Sequence, residues 1–187
     1  SKGIVEVLVG ACEEMAAPDI LQEVASCFCN LSLSANLRLP LARTAVTHIH
    51  HMLSQGGDNE TVMCSLGAIA NLAESTETHQ FLKNIHLLDS LISELKSNNT
   101  NITRESARAI ANLLSSRDIH PHVTRQGLAH LLDLSRSSCE DCQYLAALCL
   151  RKLAPTKTAQ SPLIANGLPS LALLATKASL TTKIQAA

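Results

Sequence analysis

Cys139-Glu140-Asp141-Cys142 has the C-x-x-C spacing of half a zinc site or of a redox pair. A structural zinc needs four ligands, and no second C-x-x-C completes the set. Nor does a β-α-β pattern surround the pair, as it would in a thiol oxidoreductase. An oxidation-sensitive surface pair is the chemistry left to it. His48-Ile49-His50-His51 sets two histidines three apart on a helix, a perch for a transition metal, with outward-facing surface histidines as the plainer expectation. His120-Pro121-His122 opens a short helix and is expected at the surface. Gly56-Gly57 lacks the lysine and the strand that a phosphate loop requires, and neither a nucleophile elbow nor a dinucleotide fingerprint occurs. These residues predict a protein that is not an enzyme and holds no cofactor or metal.

The polar residue that does recur is asparagine. Cys27-Phe28-Cys29-Asn30-Leu31, Ala68-Ile69-Ala70-Asn71-Leu72, Ala109-Ile110-Ala111-Asn112-Leu113 and Cys149-Leu150-Arg151-Lys152-Leu153 align with offsets of 41, 41 and 40 residues. A period near 40 in a helical pattern predicts an all-α solenoid, whose units bury their apolar faces by stacking on one another. The recurring positions are Asn30, Asn71, Asn112 and then Lys152, where the pattern changes. One helical turn earlier on the same face stand Ser26, Gly67, Arg108 and Leu148. An amide can pair with the N–H and C=O of an extended backbone, or it can tie down a loop or a neighbouring helix; the two roles are compatible. The small residues Cys27, Ala68, Ala109 and Cys149 are expected to pack between adjacent units.

The elements that carry these positions follow from apolar periodicity. Ile4, Val5, Leu8 and Val9 make a first helical face, and Pro18-Asp19 opens a helix with apolar Ile20, Val24, Cys27, Phe28 and Leu31 at steps of three and four. A segment with Pro40 precedes the stripe Val46, Ile49, Met52 and Leu53. From there the order repeats: a motif helix, a short helix and a Leu-rich helix, with motif helices expected near 59–73, 101–114 and 140–154. The chain is expected to be one array, divided as 1–33, 34–75, 76–117, 118–156 and 157–187. The partial first and last units, and the motif-like Lys183–Ala187, predict an excerpt of a longer array.

Composition narrows the function. The 187 residues are 46% hydrophobic, 2% aromatic and 17% charged, with a formal net charge of −1. Such a balance lacks the field and the stacking aromatics that nucleic-acid binding uses, and no apolar run reaches the ~18 residues that span a bilayer. Seven cysteines, an odd number, several of them inside the apolar motif, read as reduced thiols. The expected location is the cytoplasm, or the nucleus.

Three helices per unit, a glycine break at Gly127 and Gly167, and the motif A-x-x-A-I-A-N-L resemble the armadillo repeat over nearly the whole chain. Ser106–Leu114 leading to Gly127–Leu132, and Ala146–Ala154 leading to Gly167–Leu171, carry the resemblance best. HEAT repeats overlap in length, but the asparagine at one fixed position favours armadillo. The resemblance implies a right-handed superhelix whose concave face is lined by the asparagine-bearing helices and binds an extended segment of a partner protein. Stacked helices ~8–10 Å apart match roughly three extended residues, so successive amides can hold successive backbone segments. Importin alphas place tryptophans one turn before the asparagine; this chain has none, so the likeness is to catenin-like or vacuolar and ciliary armadillo scaffolds. Arg108 and Lys152 make the C-terminal half of the groove basic, as in the catenins, which implies an acidic segment, with Glu23 and Glu105 on nearby turns as countercharges. The alternative is a scaffold part of a large cytoskeletal or ciliary assembly, docking by its ends or convex face.

Overall fold

In a computed structural model, the structure describes residues 2–13, 17–55, 58–169 and 172. The Gly56-Gly57 break, most of the helix expected at 167–177 and the motif-like turns at 183–187 lie outside the described residues. Every regular element among them is helical. The chain divides into two compact units, 1–90 and 91–187.

The first unit holds α1 (Lys2–Glu13), α2 (Pro18–Ser32), α3 (Ala35–Thr44), α4 (Val46–Ser54), α5 (Asn59–Leu72), a 3-10 turn at Thr76–Thr78 and α6 (His79–Leu82). Helix α2 begins with proline in its first turn, where the missing N–H costs nothing, followed by Asp19 near the positive helix end. The segment with Pro40 is helix α3, and Pro40 lies inside it. Helix α5 starts on Asp58, whose carboxylate accepts from the Glu60 and Thr61 N–H groups and from the Thr61 hydroxyl. The Thr61 bonds hold that carboxyl below its usual range. Replacing Asp58 by alanine is expected to cost about 1 kcal/mol, read as a lower urea midpoint at unchanged slope. From Ser65 to Leu72 every residue of α5 is buried. Helix α2 packs along it, with Phe28 fully enclosed, and α4, whose Ile49 and Met52 are buried, packs on it as well. Alanine at 68 and 70 keeps these helices close, since each is fully buried with no bulk to accommodate.

Helix α7 (Ile85–Glu94) carries the division between the units. The second unit continues with α8 (Thr100–Leu113), a 3-10 turn at Arg117–Ile119, α9 (His120–Gln126), α10 (Leu128–Leu134), α11 (Glu140–Leu153), α12 (Lys157–Pro162) and a π-helical stretch at Leu163–Gly167. Helix α8 packs along α11, and α10 also covers α11. The expected glycine break is real at Gly127: a Cβ there would stand 3.1 Å from the Val123 carbonyl oxygen and 3.3 Å from Ile92 Cγ1. The short and the Leu-rich helix meet too closely for any larger residue without a shift.

The packing sites divide. Ala68, Ala109 and Cys149 are fully buried, and the Cys149 sulfur lies 3.7 Å from the Ala107 carbonyl oxygen of α8. Cys27, read with them as a packing residue, is exposed instead. At Cys149 the same position packs on the preceding motif helix, α8. Ile20, placed on the apolar face of α2, is likewise half exposed.

Candidate functional site

The motif helices α8 and α11 are buried along their middle except at a few positions. Along the middle of α8 the incompletely buried residues are Arg104, Glu105, Arg108 and Asn112; along α11 they are Gln143, Tyr144, Leu148, Arg151 and Lys152. Spacings of four keep Arg104, Arg108 and Asn112 on one stripe, and Tyr144, Leu148 and Lys152 on another. In the first unit α2 keeps Ser26 half-buried and Asn30 exposed, whereas on α5 both Gly67 and Asn71 are buried.

Asn71 is a tie. Its side-chain amide donates to the Cys29 carbonyl at 3.3 Å and to the Ser32 hydroxyl at 3.0 Å, both at the end of α2. The Cys29 carbonyl is one of the last four of its helix, and the Leu33 N–H that would have reached it closes on Asn30 instead. Lys152 repeats the arrangement one pair of helices later. Its ammonium donates to the Ala111 carbonyl at 2.7 Å and to Ser115 Oγ at 3.2 Å, while the Ser115 N–H closes on Asn112. Cys29 and Ala111 occupy the same place in the repeat, immediately before the recurring asparagine. A lysine can stand where asparagine recurs because both end in N–H donors that reach a terminal carbonyl of the preceding motif helix. Burial lowers the affinity of the Lys152 amine for its proton, and the neighbouring Cys149 works against that shift.

The basic positions are answered by acids. Arg108 donates to Glu105 from Nε at 2.9 Å and from Nη2 at 2.6 Å. Arg104 stands 3.5 Å from the other oxygen of Glu105 and 3.9 Å from Asp141. The stripe on α8 is therefore a compact charge network rather than a basic surface. In the first unit Ser26 Oγ lies 3.4 Å from Cys64 Sγ, a neutral contact between α2 and α5.

A second periodic set escaped the sequence reading. Arg38, His79 and His120 are spaced by 41 residues, and each bonds a carbonyl six residues back, at the end of its own motif helix. Arg38 Nε donates to Ser32 at 3.1 Å, His79 Nε2 to Ala73 at 2.8 Å and His120 Nε2 to Leu114 at 2.9 Å. Arg38 also reaches Glu74 at 2.6 Å, and His120 Nδ1 reaches Thr156 Oγ1 at 2.7 Å, each in the following turn. A ring whose Nε2 faces a carbonyl carries its proton there, so the neutral ring accepts the Thr156 hydroxyl at Nδ1. His120 is thus buried, at 5% exposure, and not at the surface as expected. The histidine period was the available signal.

The remaining chemical candidates take structural places. Cys142 is buried at 1% exposure, while Cys139 sits half-buried at the start of α11. Burial, reinforced by the Cys139 thiol, pushes Cys142 up to about 12, so the pair is not the surface pair its spacing suggested. His50 is half-buried on α4, with Nε2 3.0 Å from Ser90 Oγ, which donates in turn to the His86 carbonyl at 3.0 Å. Burial, then His86 and His51, lower its affinity for a proton. As pH falls below about 6.5 the unfolded chain protonates this histidine first, so stability declines until the folded form titrates too. His50→Gln is expected to flatten melting temperature against pH below about 6.5; parallel slopes for the two proteins would remove His50 as the cause. Among the described residues no group of three or more His, Cys, Asp or Glu side chains is placed to hold a metal ion. No helix among them is long and apolar enough to cross a membrane.

No protein-family model and no curated protein matches the sequence. Solved structures do match. A designed armadillo repeat protein in complex with the peptide (KR)4 superposes with a TM-score of 0.87 at 22% identity, covering 98% of this chain and 79% of that one. Computationally designed armadillo repeat proteins for modular peptide recognition give 0.89 at 20% identity, over 98% of this chain and 79% of that one. A further designed armadillo repeat protein gives 0.84 at 20% identity over 96% and 79%. The chain has an armadillo-like repeat fold, an all-α solenoid.

Proposed function

We propose that this protein is a non-catalytic interaction module that holds an extended segment of a partner protein along the exposed stripes of its motif helices. The observation that carries this reading is that α8 and α11 are buried except along stripes bearing Arg104, Arg108 and Asn112, and Tyr144, Leu148 and Lys152. Side chains of such varied chemistry on otherwise enclosed helices contribute little to the core and suit recognition. The designed proteins of the same fold are described as peptide-bound or built for peptide recognition, which supports a protein partner. The reading takes 34–75, 76–117 and 118–156 as whole repeats, and the seven free thiols support a reducing compartment, the cytoplasm.

Ser26, Asn30 and Asn112 are the polar contacts of this reading; Asn71, Gly67 and Lys152 shape the surface beneath, Asn71 and Lys152 as ties. An acidic side chain of the partner would compete with Glu105 for Arg108, so we assign an acidic preference of modest strength. Photo-crosslinking residues placed at Leu148 and, on α12, at Gln160 test the reading in cells. Protein adducts from position 148, lost with Arg108→Glu, support the groove; adducts from position 160 alone move docking to the convex side. The scaffold reading has its own observation: Ile4, Val7, Ile20 and Leu33 are all at least half exposed in the first unit. An apolar surface of that kind fits docking within an assembly.

A further inference from the structure

Ser115 is exposed in the turn that follows α8, with its N–H closed on the Asn112 carbonyl at 3.2 Å. Its hydroxyl oxygen accepts from the Lys152 ammonium of α11 at 3.2 Å, and no described residue accepts its proton. Nor does Lys152 have an acid partner among the described residues. At the same letter of the preceding repeat, 41 residues earlier, stands Glu74. It is exposed in a turn closed the same way, N–H on the Asn71 carbonyl at 3.2 Å, and its carboxylate lies 2.6 Å from Arg38 Nη2. This letter therefore takes an anion beside the last carbonyls of a motif helix, where negative charge is disfavoured, when a cation answers it. At Ser115 the cation is in place and a hydroxyl stands where the anion was. We propose that Ser115 is a phosphorylation site for an acid-directed serine kinase, with Lys152 as counterion of the phosphate. The kinase moves the γ-phosphoryl group of ATP to Ser115 Oγ, the hydroxyl proton passes to the kinase's base, and ADP departs. Asp118, exposed three residues on, supplies the carboxylate spacing that such kinases read. The phosphate's free oxygens fall within reach of an ammonium already beside Oγ, and opposite charges then replace an ammonium–hydroxyl contact. The site does not depend on the groove reading; where that reading holds, the added charge beside Lys152 turns acidic segments away.

The test treats the whole folded chain with casein kinase II and magnesium-ATP, locates phosphate by mass spectrometry of digests, and follows it by phosphorus NMR. Phosphate on Ser115 is expected, its signal assigned by loss in Ser115→Ala. Lys152→Asn restores the residue that recurs at this position, so a donor to Ala111 stays and only the charge goes. The Ser115 phosphate should release its last proton at least about half a pH unit lower in the wild type than in Lys152→Asn. Lys152→Arg should keep the low midpoint, and unfolding the wild type in urea should raise it. At about pH 7.5 phosphorylation should leave the wild-type melting temperature within about 1 °C and lower that of Lys152→Asn by about 2–4 °C. No phosphate on Ser115 of the folded chain, a wild-type midpoint that urea leaves in place, or equal melting shifts in the two proteins would each overturn the proposal. So would a midpoint unchanged by Lys152→Asn, which would give the pairing to Arg117 in the same turn.

Discussion

At pH 8 the Cys142 thiol of the folded protein should react with iodoacetamide roughly a thousandfold more slowly than an ordinary thiol with a pKa near 8.5. The alkylating species is the thiolate, and burial pushes Cys142 up to about 12, leaving roughly one molecule in ten thousand ionised at that pH. Cys149 should behave alike, since it is fully buried and also pushed up to about 12. Exposed Cys27 is the internal reference, read by mass spectrometry of timed digests. Denaturation should bring all three to one rate. The result bears on function because C-x-x-C was the strongest chemical signature in the chain. A Cys142 that cannot ionise cannot attack a disulfide or bind a metal until α11 opens. Labelling of native Cys142 as fast as Cys27 would return the pair to the list of redox candidates.

How far the sequence can be read depends on the kind of position. Repeat period, helix order and the glycine break at Gly127 were all legible, because each follows from periodicity or from a steric need that one residue type meets. Environment was harder. Asn30 and Asn71 occupy the same letter of the motif, yet one is exposed and the other is 3% exposed, held against the end of α2 by its bonds to the Cys29 carbonyl and the Ser32 hydroxyl. Lys152 looked like a loss of the pattern and instead keeps its chemistry, supplying a donor to the same carbonyl position. Arg108 read as free positive charge, whereas Glu105, one helical turn away, absorbs it through two bonds. Cys27 is exposed, whereas Cys149 at the same letter lies against the Ala107 carbonyl of α8. A single sequence shows which residues recur; it does not show which of them have something to lean on.

The histidine set makes the sharpest case, and replacing His120 by alanine is expected to cost the second unit about 2–4 kcal/mol. Two losses add. The ring fills a site left 5% exposed, so its removal opens a cavity, and the Leu114 carbonyl at the end of α8 loses its donor. That carbonyl belongs to the last turn of its helix region, where intrahelical partners run out, and burial keeps water from replacing the imidazole. Thr156 loses less, because its hydroxyl sits nearer solvent and can rehydrate, so Thr156→Val should cost about 1 kcal/mol. His120→Gln separates the two contributions: its amide can donate to Leu114 but leaves part of the ring volume empty, so it should recover about half of the alanine loss. Urea unfolding followed by tyrosine fluorescence gives the readout, since Tyr144 on α11 is the only tyrosine and no tryptophan obscures it. Hydrogen exchange at the Ser115 and Ser116 amides should quicken first, because the turn they form is the one that His120 closes. If alanine and glutamine proved equally mild, below about 0.5 kcal/mol, the ring would be a passenger and the 41-residue recurrence of Arg38, His79 and His120 would need another cause.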